Sequence, residues 1–119
     1  MRIAITSQGK DLDSQVDPRF GRAAYILIID PDDEKVEVLD NSENVNAFKG
    51  AGIQAAVMVG DSGAEILLTG FCGPNAFKTL AAAGVKVAND ASGTVRDALE
   101  AFKKGEVSIA DDANVEGHW

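Results

Sequence analysis

"AEILLTGFCGPNAF", residues 64 to 77, decides how this chain folds. Its first seven residues form a compact apolar run of strand length. Pro74 then suits the first position of a helix, where its missing N–H would have had no intrahelical partner. Phe77, Leu80 and Ala81 fall on one face of that helix, and Gly84 is a natural stop. A strand, a tight corner and a helix in about twenty residues read as one arm of a crossover between parallel strands.

Working outward, "VKVA" (85 to 88) is the returning short strand. Thr94 caps a further helix, with Val95, Ala98, Leu99 and Phe102 at helical spacing, Lys103 and Lys104 at its end, and Gly105 closing it. Beyond it the pattern fades, and residues 111 to 119 are expected to be a loose tail. On the N-terminal side, "RIAIT" (2 to 6) alternates as a strand. "AAYILIID" (23 to 30) and "KVEVLD" (35 to 40), joined by the turn residues "PDDE", form an antiparallel hairpin. Asn41 to Asn46 reads as a polar loop. "GAGIQAAVMVGDSG" then reads as a helix with Ile53, Ala56, Val57 and Gly60 on its inner face and Gly50 and Gly52 at its start.

The element order β-β-β-α-β-α-β-α predicts a single α/β domain over residues 1 to 119, with a mixed five-stranded sheet in the order 3-2-1-4-5. The winding reverses between strands 1 and 4, and open α/β sheets bind ligands at such a point, beyond the carboxyl ends of the strands. The loops there are "TSQG" (6 to 9) and "TGFCGPN" (69 to 75). Cys72 is thereby expected at the mouth of a crevice, with Ser7 and Gln8 opposite it.

Composition narrows the chemistry. The chain has 119 residues, 45% hydrophobic and 25% charged, and a net charge of -8. That balance with scattered Lys and Arg excludes ordinary nucleic-acid backbone binding. No apolar run is long enough for a membrane span, and the polar N-terminus does not resemble a signal peptide. One cysteine makes no internal disulfide, which fits a reducing compartment and a cytoplasmic location.

The corner offers two opposite readings. With Gly73 as the cap, the first N–H groups of the helix attract anions and lower the pKa of a nearby thiol, so Cys72 can be a soft metal ligand. Gly70, Phe71, Gly73 and Asn75, with Gly50 and Gly52 at the preceding helix start, then let backbone approach a bulky anionic guest. Alternatively the glycines only make turns and Cys72 is a small buried hydrophobe. In "DPRFGRA" (17 to 23), Arg19 and Arg22 can clamp an anion or pair with surface acids, and Phe20 belongs to the core. His118, the sole histidine, can swing onto a metal or stay solvated. One Cys and one His cannot hold a structural zinc, so any metal must arrive with most of its ligands filled. Walker A and GxGxxG patterns are absent, and a ribonuclease H-like active site needs carboxylates that "RIAIT" lacks. A hydrolase built on His118 is remote.

"FGRA", "GAGIQAA", "TGFCGPNAF" and "GTVRDALEAFKKGE" together resemble the dinitrogenase iron-molybdenum cofactor biosynthesis family, over about Arg2 to Glu106. The resemblance implies a ribonuclease H-like three-layer α/β/α fold. It also implies non-enzymatic binding or carriage of an iron-sulfur or molybdenum-iron-sulfur cluster, exchanged with donor and acceptor proteins. The family includes a member of similar size that holds a molybdenum-copper-sulfide cluster without covalent links. No histidine here matches a cluster-ligating position of the nitrogenase-associated members, and Cys72 falls where the family motif varies. A cluster-free interaction or regulatory module on the same scaffold is the alternative.

Overall fold

The computed structural model describes residues 1 to 45 and 50 to 110. Five strands form one sheet: β1 (Ile3–Ser7), β2 (Tyr25–Ile29), β3 (Val36–Asp40), β4 (Ile66–Leu68) and β5 (Lys86–Ala88). Their order is β3-β2-β1-β4-β5, as the sequence predicts. The β1–β2 and β2–β3 pairs are antiparallel, and β1–β4 and β4–β5 are parallel. Four helices are described: α1 (Ser42–Val45), α2 (Ala51–Asp61), α3 (Pro74–Ala82) and α4 (Val95–Lys103).

Strand alternation sorts the core into two layers. Ala4, Ile26, Ile28, Leu67 and Val87 face one way and pack with Ala55, Ala56 and Val59 of α2 and Ala76 and Leu80 of α3. Ile3, Ile5, Leu27, Ile29 and Leu68 face the other way and pack with Val95, Ala98 and Leu99 of α4. The central strand β1 is buried throughout, because both of its faces are covered. The result is the three-layer α/β/α arrangement.

Four local expectations need correction. The inner face of α2 is Ala51, Ala55, Ala56 and Val59, while Ile53 and Val57 are 41% and 49% exposed. The reason is close helix packing: a methyl on Gly52 would lie 3.3 Å from the Ala76 Cβ, and one on Gly60 only 2.9 Å from the Ala83 Cβ. Small residues therefore fill most of the α2–α3 seam, and Ile53 and Val57 turn outward. On α3 the inward residue is Ala76 rather than Ala81, which is exposed. Residues 42 to 45 form a helical turn rather than loop. The buried Asn41 anchors its start, donating from Nδ2 to the Ala23 carbonyl (2.8 Å) and accepting at Oδ1 from Asn44 (2.7 Å).

The fourth correction is at the C-terminal side. Ile109 bridges Ala88 in antiparallel fashion, and the Ala110 N–H reaches the Val87 carbonyl at 2.7 Å, so the stretch after α4 covers the β5 edge. Such pairing leaves no period to read, since one bridge carries it. Residues 111 to 119, with His118 and the predicted loose tail, lie outside the described residues. Among those described, no helix is long and apolar enough to cross a membrane.

Candidate functional site

The crevice between the carboxyl ends of β1 and β4 is filled by the chain itself. The arm from Val16 to Phe20 runs across it. Thr6 Oγ1 donates to the Asp17 carbonyl (2.7 Å) and shares a 2.8 Å hydrogen bond with Thr69 Oγ1. The Phe71 N–H donates to the Pro18 carbonyl (2.6 Å), and the Phe20 N–H donates to the Phe71 carbonyl (3.0 Å). Gly70 permits this clamp: a methyl there would stand 2.7 Å from the Pro18 carbonyl oxygen.

That clamp settles where Cys72 points. Arg19 and Phe71 form a parallel bridge. Alternation about it sends Arg19 and Phe71 outward, and Phe20 and Cys72 inward. Phe71 is 38% exposed, whereas Cys72 is fully buried in the core under α2 and α3. Burial pushes its thiol up to about 12, the opposite of the lowered value expected for a rim thiolate. The sequence expectation of a soft metal ligand at the crevice mouth is overturned. The alternative reading, a small buried hydrophobe, describes what Cys72 is.

Ser7 and Gln8 are also not part of the opening. Ser7 is fully buried. Its position in β1 points it toward the α4 layer, and its hydroxyl donates to the Gly9 carbonyl at 2.8 Å. The Gln8 N–H is bonded to the Gln15 carbonyl at 2.9 Å, in a loop tied to Thr94 at the start of α4.

The opening lies instead beside the blocked crevice, between the starts of α2 and α3. It is a cleft of about 110 Å³ with Gly50, Ala51, Gly52 and Ile53 on one wall. Gly73, Asn75 and Ala76 form the other wall, and Phe20 contributes as well. Four of the sequence-predicted residues, Gly50, Gly52, Gly73 and Asn75, thus meet in one place.

Both helices that meet there begin on glycine. Gly50 is in the left-handed region (φ 77°), Gly73 is extended (φ -73°), and neither start has a side-chain cap. An α-helix leaves its first N–H groups without intrahelical partners, and its dipole adds positive potential there. None of the residues lining the cleft is acidic, although acids outnumber bases 19 to 11 in the chain. Arg19 extends into solvent from the clamped arm, its backbone N–H held by Asp17 Oδ1 at 3.0 Å. Its Nε lies 3.9 Å from the same oxygen. Arg22 is half-buried, one turn of chain further on.

Sequence reasoning missed the residue that brings these parts together. Gly21 (φ 92°) packs backbone to backbone on α2: a methyl on it would lie 2.8 Å from the Gly52 Cα. The tandem glycines in "FGRA" and "GAGI" were the visible sign, but not that they touch. Among the described residues, no group of three or more His, Cys, Asp or Glu side chains could hold a metal ion.

The family model for the dinitrogenase iron-molybdenum cofactor matches residues 1 to 105. The chain belongs to this family. The apo form of the orange protein from Desulfovibrio gigas is similar at 47% identity, with 96% of each chain covered and a TM-score of 0.93. A putative NifB protein from Thermotoga is similar at 40% identity over 98% of each chain, with a TM-score of 0.83. A putative dinitrogenase from Methanocaldococcus jannaschii, at 19% identity over 94% of this chain and 96% of its own, shares the fold with a TM-score of 0.69. No curated protein matches the chain.

Proposed function

We propose that this member of the family is a non-enzymatic binding or carrier protein whose cargo is an anionic metal-sulfur cluster of iron-sulfur or molybdenum-iron-sulfur type, held in the cleft between α2 and α3. The observation that carries this reading is the pair of glycine-capped helix starts facing one acid-free opening. Backbone N–H groups at such starts bind anions without a charged side chain. Phe20, Ala51, Ile53 and Ala76 supply apolar surface for a weakly hydrated sulfide face. Arg19 and Arg22 offset charge at the rim, with Gly70 and Phe71 fixing the arm that bears Arg19.

The donor set decides what kind of cluster fits. A cluster that needs thiolates from the protein does not, because the only cysteine is buried with its proton held. A cluster that brings its own sulfide ligands does. Such a cargo enters and leaves without breaking a metal–protein bond, which suits exchange with donor and acceptor proteins.

Isolation without oxygen, followed by metal analysis and visible absorption, tests the reading. The expected result is molybdenum or iron with a sulfide-to-metal charge-transfer band. That band should persist in Cys72→Ala and weaken in Gly73→Asp, which puts a carboxylate among the amides. Colourless, metal-free protein that also fails to take up cluster on anaerobic reconstitution would refute it. That outcome would favour the second reading, a cluster-free interaction module, for which exposed Ile53, Val57 and Phe71 beside the cleft are the supporting observation.

A further inference from the structure

The outer surface of the α2–α3 layer is nearly free of charge. From Ala51 to Gly60 no charged residue occurs, and from Pro74 to Gly84 the only one is Lys78, in a chain that is 25% charged. Ile53 and Val57, one turn apart on α2, stand outward with the exposed Gln54 between them. On the neighbouring α3, the exposed Ala81 and Ala82 add apolar surface without bulk. Contiguous apolar surface of this kind marks a place of association.

Charge decides what can cover it. The chain carries a net charge of -8, so two copies repel each other wherever their acids meet. Those acids lie on other faces: the exposed Asp32 and Asp33 at the β2–β3 turn, Asp11 and Asp13 before the arm, and Asp97 and Glu100 on α4. The exposed Val38 offers no alternative. It stands on the edge strand β3 among the exposed Glu37 and Asp40, and such charges guard an open edge against pairing. An anionic lipid surface, which draws on clustered Lys and Arg, is repelled by the same net charge. A two-fold interface sets a surface against itself, so it must be self-complementary. The acid-free face of α2 meets that condition.

We propose that the outer face of α2 docks a second copy of this chain across a two-fold axis. The two α2 helices run antiparallel, and Ile53 of each copy packs on Val57 of the other. Burial of these side chains drives the association, and no carboxylate is brought against another. The helix is 11 residues long, about 16 Å. With the margin of α3, the pair buries on the order of 1,000 Å² in total, the low end for specific association. Such a dimer is weak, with a dissociation constant of about 100 μM. Ile53 also lines the cleft, so the interface borders that opening. The pairing needs no cargo and does not rest on the cluster reading.

The experiment is sedimentation equilibrium of the full chain from about 10 μM to about 1 mM, which brackets that constant, with amide NMR shifts followed on dilution. The average mass should rise from monomer toward dimer and stop there, with shifts confined to α2 and the outer side of α3. Ile53→Glu and Val57→Lys lie at exposed positions and favour helix, so both should keep the wild-type urea midpoint. Each alone should weaken pairing about tenfold or more, because it buries unpaired charge at the interface. Mixed in equal amounts, the two variants should pair again, since position 53 of one chain faces position 57 of the other with opposite charge. Val38→Asp, on the β3 edge, should change nothing. A chain that stays monomeric at the highest concentration, grows past a dimer, shifts at β3 on dilution, or pairs as well with both variants would overturn the proposal. Failure of the mixture to recover, with each variant weakened, would overturn the antiparallel pairing.

Discussion

α2, α3 and α4 begin at the same edge of the sheet, and they begin in opposite ways. The α4 start is closed by the protein. Thr94 Oγ1 accepts the Asp97 N–H (3.1 Å), Asp97 Oδ2 accepts the Thr94 N–H (3.0 Å), and the Ser14 and Leu12 carbonyls take the next two amides at 2.9 and 2.8 Å. The α2 and α3 starts have glycine where α4 has threonine, and no side-chain cap. At Gly73, whose backbone is extended, a capping side chain is a conservative change worth a few tenths of a kcal/mol, whereas the left-handed backbone of Gly50 (φ 77°) excludes one. On the proposed reading, the two open starts that share a cleft keep their donors for an outside anion, while the closed one beside them does not.

The largest expected effect attacks the contact that sets the open side. Gly21→Ala combines a left-handed backbone with a backbone clash against Gly52. It should lower unfolding free energy by about 3 kcal/mol in urea titrations, and cluster uptake should fall with it. A loss below about 1 kcal/mol would mean the two glycines are not in contact.

Cys72 gives the next test, through alkaline pH. Its folded thiol is raised from 9.0 to about 12. The unfolded chain therefore ionises first, and folding stability falls as pH climbs from about 9 toward 12. Below pH 9 both states keep the proton and the thiol adds no slope. Relative to Cys72→Ala, the wild type should lose on the order of 1 kcal/mol per pH unit above 9. In native buffer at pH 8 iodoacetamide should leave the thiol intact and modify it after urea is added. Rapid native alkylation would restore the exposed thiolate.

A reciprocal pair sharpens the comparison itself. Thr94→Ala opens the closed start and should cost about 1 kcal/mol of stability without changing cluster affinity. It also removes the hydroxyl's share in holding the Asp97 carboxyl low, while the larger share, the Thr94 N–H bond, stays. Because a depressed carboxyl stabilises at neutral pH and loses that contribution as pH falls, the variant should show a slightly shallower acid-side decline. Gly73→Asp closes an open start. It should change stability by only a few tenths of a kcal/mol while lowering cluster affinity roughly tenfold. Thr94→Ala altering cluster affinity, or Gly73→Asp leaving it intact, would break the contrast.

The smallest effect is expected on the α4 surface, where Lys103 Nζ meets Glu34 Oε2 at 2.6 Å and Arg96 pairs with Asp13 at 3.2 Å. The Glu34 carboxyl is lowered by its hydrogen bond and charge pairing with Lys103, and the Lys103 ammonium is raised in turn. These groups are solvent-screened, so Lys103→Met should barely move the unfolding midpoint and should mainly reduce its dependence on salt.

What could be read in advance follows range of interaction. Sheet order was legible because each strand is a short apolar run and the helices carry their own starts and stops, from Pro74 to Gly84 and from Thr94 to Gly105. The α4 face was legible because its large residues face inward at helical spacing. The α2 face was not, because Ile53 and Val57 imitate an inward stripe while the buried surface is made of three alanines and Val59. The cleft residues were half legible. Glycines at two helix starts are visible in one dimension, but the Arg19–Phe71 bridge that buries Cys72 joins positions far apart in the chain, and a shift of one residue there would have turned the thiol outward.

Phe20 has a double position, in the lining of the cleft and within the packed layer beneath α2 and α3. Whatever rests on that ring leans on the hydrophobic interior directly, with no intervening loop to absorb the contact. If the proposed cargo sits there, its retention and resistance to unfolding are linked through one aromatic side chain: the loaded molecule should survive proteases longer than the empty one, and handing the cargo on should leave a visibly softer protein.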